Sequence, residues 1–380
     1  DGGKVSLEAF SILSHESSAI RASGGVSMGA SGKKSLKGKG GSISLLAGKD
    51  PELRTSVGGA LELPSHLEAY SSVLGGSLTL QAVRAIIGEV EEPVGGIMEL
   101  SPDFFVKGGF SNFSIRATGA TGSTDPAVQV LPGTQIRPIT ESLLVNSLFQ
   151  NAESAFVKSI LPEGVRPIAN ISLVALGFDD PFTDQEVEAV GSIEVGSDAT
   201  IKTDIGGSVS LKGQTISVFG SIEAPAGSIT IEGGGKFPLA AQQEASTTSA
   251  LPTLHLAPTA QLIARGAKLQ IPDPFGRKIG SVLSGGKVRL SGNIVAEAGA
   301  VVDVSGTSGT FDYLTTSVGS SAESIQSNGM PLEPAGRNTI RLTVDSNGGV
   351  ISLRGSQLLL ADATLDGRAG GTSAVGGSLT

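Results

Sequence analysis

The side chains best suited to chemistry are few and scattered. The three histidines, His15, His66 and His255, lie far apart, with no spacing that would bring imidazoles to one metal ion. Each reads as a surface or loop residue. Serine is abundant, but no Gly-x-Ser-x-Gly elbow joins a strand to a helix. The chain has no Cys, so it forms neither disulfides nor thiolate metal sites. That absence also suits a protein that crosses membranes unfolded.

Two acidic groups stand out: Asp179-Asp180 with Asp184, and Glu89 with Glu91 and Glu92. A glycosidase needs two carboxylates held at a defined separation on rigid elements. Both groups lie in interrupted stretches with Pro nearby, so solvated turns are the expected reading. Asp198, Asp204, Asp303, Asp345 and Asp362 mostly fall at strand ends, where turns favour Asp. The Gly-Gly-x-Gly-x-Asp nonapeptide of calcium-binding β-rolls is absent. Sugar sites usually recruit exposed aromatics, but there is no Trp, and Tyr70 and Tyr313 are the two tyrosines. Phe104, Phe105, Phe110 and Phe113 read as internal packing. Asn112-Phe-Ser114 and Asn170-Ile-Ser172 match a glycosylation pattern but read as ordinary turn and strand residues. No catalytic, cofactor or metal residue is assigned.

The scaffold is more legible than the chemistry. Of 380 residues, 54 are Gly, 17% are charged and 39% are hydrophobic. A disordered chain shows the opposite balance of charge and hydrophobicity. The core must therefore be Val, Ile, Leu and Ala. The net charge of −9 argues against a basic field for nucleic acid. The densest basic run, Lys33, Lys34, Lys37 and Lys39, sits among Gly and Ser and reads as a solvated loop. No apolar run approaches the roughly 18 residues of a spanning helix.

One unit recurs: Gly-Gly, then alternating polar and apolar residues. Gly2-Gly3 leads into Lys-Val-Ser-Leu, Gly40-Gly41 into Ser-Ile-Ser-Leu, and Gly75-Gly76 into Ser-Leu-Thr-Leu. Gly95-Gly96, Gly206-Gly207, Ala226-Gly227, Gly285-Gly286 and Gly348-Gly349 open similar runs. Alternation puts one set of side chains inside and the other outside. The Gly pair permits positive φ at the corner before each strand. Gly75 and Gly95 are 20 residues apart, as are Gly206 and Ala226, a length that suits one solenoid turn. Short strands linked tightly could also make an antiparallel sandwich. The repeated Gly-Gly opening, with no helix between for a crossover, favours the solenoid.

The predicted fold is all-β: a right-handed parallel β-helix running through 1–380 as one continuous segment. Excursions are expected at about 49–67, 88–105, 147–164, 233–252 and 307–335. Leu148, Ala152, Ala155, Phe156 and Ile160 approximate a helical face, which predicts a short helix near 151–160. A dozen or more turns would extend roughly 60 Å or more.

Four stretches carry a family resemblance. They are His66-Leu-Glu-Ala-Tyr70 with Gly75-Gly-Ser-Leu-Thr-Leu80; Leu100-Ser-Pro-Asp-Phe-Phe105 with Gly108-Gly-Phe-Ser-Asn-Phe-Ser114 and Pro132-Gly-Thr-Gln-Ile-Arg-Pro138; Arg166-Pro-Ile-Ala-Asn-Ile-Ser172 with Gly191-Ser-Ile-Glu-Val195 and Ala224-Pro-Ala-Gly-Ser228; and Ile271-Pro-Asp-Pro-Phe-Gly276 with Ala298-Gly-Ala-Val-Val-Asp-Val-Ser-Gly306. In this order they make the chain resemble the filamentous haemagglutinin family of large bacterial exoproteins. The resemblance implies export by two-partner secretion and a β-helix on the outer cell surface.

The expectation is thus a structural or adhesive rod, not an enzyme, secreted or held at the cell surface without cofactors. Its implied partners are an outer-membrane secretion pore, a receptor on a host or neighbouring cell, and further copies end to end, but no nucleic acid. The competing readings are a β-helix enzyme degrading polysaccharide, and a passive stalk displaying a toxin or receptor-binding region elsewhere. Repeat units at both ends predict an internal length of a longer protein.

Overall fold

The computed structural model describes all residues except 16, 26, 29–33, 36–37, 53–56, 91–94, 146–155, 178–188, 235–252, 272, 274–275 and 315–338. It is almost entirely β, with a large parallel sheet of 16 strands, an architecture consistent with a β-solenoid. One short 3-10 helix, Pro102–Val106, interrupts it, and the described residues contain no α-helix.

Three parallel ladders organise the chain. The first stacks ten strands in chain order: Lys4–Glu8, Ser42–Leu46, Gly76–Ala82, Phe110–Ala117, Asn170–Ala175, Ser208–Gly213, Ser228–Gly233, Lys287–Ala296, Val350–Ala361 and Ser378–Leu379. The second includes Val128–Val130, Ser192–Val195, Thr215–Val218 and Leu254–Leu256, and it merges with the first through the long strand Lys287–Ala296. The third is a separate sheet of six short strands, from Gln135–Ile136 to Thr364–Asp366. Among the described residues, the ten strands of this ladder, about 4.8 Å apart, span about 43 Å.

Alternation explains the core. Ile43, Leu78, Phe113, Ile171, Val209 and Ile229 are in register across successive turns, and all are buried. Leu45, Leu80, Ile115, Leu173, Leu211 and Ile231 form a second inner row two residues on. Ile201, Ile222 and Leu262 close the core from the third ladder. Each such side chain contributes about 1.5–3 kcal/mol by leaving water. At the ends of the stack the same rows are exposed, Leu7 by 43% and Leu379 by 61%.

The Gly pairs work differently from expectation. Positive φ occurs at Gly96, Gly206 and Ala226, but not at Gly41, Gly286 or Gly349. At those positions a Cβ would collide with the carbonyl oxygen of the glycine one turn before: Gly3 for Gly41, Gly227 for Gly286, and Gly286 for Gly349. Close backbone approach between turns is the commoner reason for glycine here.

The 20-residue turn is real between Ser208 and Ser228, which are direct register partners. Gly95-Gly96 is different. Its strand, Ile97–Leu100, pairs with Arg84–Ile87 at the outer end of the second ladder. The next strand of the first ladder is Phe110–Ala117, reached through the 3-10 helix.

The helix predicted near 151–160 is not present where it can be described. Phe156–Ser159 is a strand, antiparallel to Ser142–Val145, and 151–155 lie outside the described residues. Phe156 and Ile160 are 38% and 50% exposed, so the inferred helical face has nothing to bury it. Pairing satisfies the backbone of Phe156–Ser159 instead.

Two further antiparallel hairpins project from the ladders: Ala267–Ile271 with Ile279–Leu283, and Ser308–Leu314 with Thr339–Asp345. Phe311 is buried where the two meet, and the Asp312 amide donates to the Lys278 carbonyl. Lys34 belongs to a smaller hairpin, Ser27–Met28 with Lys34–Ser35; Lys33 and Lys37 lie outside the described residues.

Candidate binding face

The outward positions of the first ladder form two polar rows. One runs through Ser42, Ser77, Asn112, Asn170, Ser208 and Ser228. The other runs through Ser44, Thr79, Ser114, Ser172, Ser210 and Thr230. None of these twelve carries charge. Charge returns at Lys287 and Arg289, the next positions in the same rows. A third outer row beside them carries Arg116, Lys212 and Glu232.

A groove of about 240 Å³ follows this face across four turns, from Ser77 to Ser210. An amide ladder crosses it. Asn170 Nδ2 donates to Asn112 Oδ1 at 3.1 Å, and Asn170 Oδ1 accepts from the Ser208 amide and hydroxyl, each at 2.9 Å. Among the described residues, the hydroxyls of Thr79, Ser114, Ser172 and Ser210 make no hydrogen bond to another protein group and are left to solvent. They stand half-exposed on the groove floor. Chemically, the groove offers hydroxyl and amide donors and acceptors, and no acid, base or nucleophile with an activating partner.

The two glycosylation-like tripeptides therefore meet in this groove, as neighbours in register rather than as turns. Sequence reasoning treated them separately. The signal that marks the face is the run of uncharged polar residues at both outer positions of each repeat.

The ionisable residues instead clasp excursions to the ladders. Arg166 forks onto Asp204, with both side chains buried, and Arg166 Nη1 also donates to the Leu161 carbonyl. The Asp204 carboxylate beside it holds the Arg166 pKa above its ordinary value. Glu163 Oε1 accepts from the Ile205 amide at 2.9 Å.

A second clasp surrounds Tyr70. Lys158 Nζ lies 4.2 Å from the centre of its ring and donates to Glu68, which also accepts from Arg21. The Tyr70 hydroxyl donates to Glu141 at 3.0 Å. Burial, joined by the Glu141 charge, pushes the Tyr70 phenol up. Burial opposes the Lys158 charge, but Tyr70 and Glu68 outweigh it and raise its pKa. A phenol held protonated beside an ammonium held charged is a poor acid–base pair near neutral pH. The arrangement fastens the Phe156–Ser159 hairpin to the strand His66–Glu68.

The chain matches no family model, no curated protein and no solved structure.

The other sequence candidates are dispersed. His15 Nδ1 lies 3.0 Å from Ser17 Oγ, His66 is exposed, and His255 pairs with Glu297 and packs edge-on to Phe219. No group of three or more His, Asp or Glu poised for a metal ion occurs among the described residues. Asp179, Asp180, Asp184, Glu91 and Glu92 lie outside those residues, and Glu89 is exposed. Asp198 occupies a turn with φ of 59°. Asp303 accepts from Ser305 and Arg265, and Asp345 from Ser373. Phe105, Phe110 and Phe113 are buried, with edge-to-face contacts at 5.3–5.8 Å. No helix among the described residues is long and apolar enough to cross a membrane.

Proposed function

We propose that this chain is a structural and adhesive length of a large bacterial exoprotein, secreted or held at the cell surface. In this reading it is a right-handed β-helix, exported through an outer-membrane pore of the two-partner type. It acts through reach, stiffness and surface contact, with further copies of itself or a neighbouring cell as partners.

The observation that supports this is the register. Two apolar rows, aliphatic but for Phe113, stack without a break from Ile43 to Ile231, while the facing outer rows stay uncharged and polar. Each turn contacts its neighbours through main-chain ladders, which makes such a stack resist bending and local opening. The resemblance of the four stretches, in their order along the chain, to the haemagglutinin-type exoproteins supports the location and the export route.

One experiment separates this reading from a polysaccharide-degrading enzyme. The chain is displayed on beads, and bead retention on bacterial and host-cell layers is measured under flow. The same preparation is incubated with a panel of plant and bacterial polysaccharides. Retention with no shortening of any polymer is the expected result. Depolymerisation of any polymer, or retention equal to bare beads, overturns the proposal.

A further inference from the structure

We propose that the groove on the first ladder binds a single uncharged, extended polysaccharide chain lying along the stack axis. This rests on the adhesive reading and names its ligand class.

Three observations carry it. First, the floor is a row of hydroxyls left to solvent, Thr79, Ser114, Ser172 and Ser210, beside the Asn112–Asn170 amide ladder. Such groups both donate and accept, which matches the hydroxyls of a sugar and leaves no excess of either kind. Second, the twelve-residue field is uncharged in a protein of net charge −9, and charges resume at its borders with Arg116, Lys212 and Lys287. Within the field an ionic ligand would meet no opposite charge, the nearest being at its borders; a neutral ligand needs none. Third, the groups repeat by translation about every 4.8 Å along the axis and about 6.6 Å across it. A ligand that repeats by translation can meet several turns at once, whereas a compact one meets only one or two.

No exposed aromatic lines the groove, and this sets how such binding works. Without stacking, each sugar is held by hydrogen bonds that merely replace those to water, so one site is weak. Several sites on one polymer act together through effective concentration. Affinity should therefore rise steeply with chain length, with a short oligosaccharide bound at least tenfold more weakly than the polymer.

The test is sedimentation of the chain with insoluble cellulose, alongside affinity electrophoresis in soluble mixed-linkage glucan and in polygalacturonate. The expected result is retention by a neutral glucan that persists in high salt. The double variant Ser114→Asp with Ser172→Asp should lower it at least tenfold. The milder Ser114→Ala with Ser172→Ala should lower it severalfold with an unchanged thermal unfolding midpoint, which keeps the test valid if the Asp variant fails to fold. Lys202→Ala, on the third ladder, should retain full binding. Failure of the chain to bind either glucan overturns the proposal. So does binding that the alanine pair leaves unchanged, or retention confined to polygalacturonate and lost in salt. The maximum particle dimension, measured separately by solution scattering, bears on the rod reading alone and survives any of these failures.

Discussion

Arg166 and Asp204 lie 38 residues apart in the chain and meet as a two-pronged pair, with 8% and 3% of their side chains exposed. Arg137 Nη2 approaches the same carboxylate at 3.6 Å. The pair ties residues 161–168 to the corner after the third-ladder strand Thr200–Lys202. Removing Arg166 leaves the buried Asp204 carboxylate to the half-exposed Arg137 at 3.6 Å, which costs up to about 3–5 kcal/mol. Arg166→Ala should therefore lower the unfolding midpoint sharply. Replacing both residues with Leu should recover most of that loss, because no unpaired charge remains. Denaturant titration of the single and double variants checks this. Equal losses in both would show that packing, not charge pairing, is what the site supplies.

Glu68 gives the clasp around Tyr70 a pH dependence. Burial pushes its carboxyl up, but the bonds and charges of Lys158 and Arg21 outweigh burial and leave it below 4.5. A carboxyl whose pKa falls on folding adds stability above its unfolded value. That contribution is lost as pH drops through the folded value. Glu68→Gln should thus lower the melting temperature near neutral pH. The gap to the parent chain should narrow steadily below about pH 4. A gap that is constant across this range would rule out the charge of Glu68 as its source.

How much of this was legible depends on what is local. Ser208-Val-Ser-Leu211 declares its inside and outside faces by alternation alone, and the register with Ser228-Ile-Thr-Ile231 follows from the glycines. Gly95-Gly96 looks identical in sequence yet opens a strand of another ladder. Alternation specifies which side chains go in, not which neighbour a strand takes. Phe156-Val-Lys-Ser159 is a strand although five apolar residues around it fit a helical face by spacing. The decisive fact was a partner, Ser142–Val145, which no window of that length contains. The polar face is half legible: the sequence marks Asn112 and Asn170 singly, and only the register joins them. Asp204 is legible as a turn Asp and Arg166 as part of a motif, but nothing local marks them as partners 38 residues apart.

The third ladder offers a clean packing test. Ile222 is fully buried between Ile201 and Leu262 in the neighbouring turns. Ile222→Ala removes three carbons with no room for the turns to close, and should cost about 2–5 kcal/mol. Ile340 sits on the projecting hairpin and is 46% exposed. Ile340→Ala should stay within about 0.5 kcal/mol of the parent chain. Chemical denaturation of both variants checks the contrast. Comparable losses would mean that the hairpin carries as much of the stability as the ladders do.

Gly286 and Gly95 separate two reasons for a glycine. Neither has positive φ, so neither needs the left-handed region. A Cβ on Gly286 would meet the Gly227 carbonyl oxygen, while one on Gly95 would have nothing within 4 Å. Gly286→Ala must push two turns apart against their hydrogen bonds, at a cost of about 1–3 kcal/mol, as for other overpacked sites. Gly95→Ala only removes freedom from the unfolded chain and should be neutral or stabilising by about 0.4–1 kcal/mol. Denaturation midpoints of the two variants should therefore move in opposite directions. If both fall equally, glycine is required at these openings for conformation, and close approach between turns is not what keeps Gly286 free of a side chain.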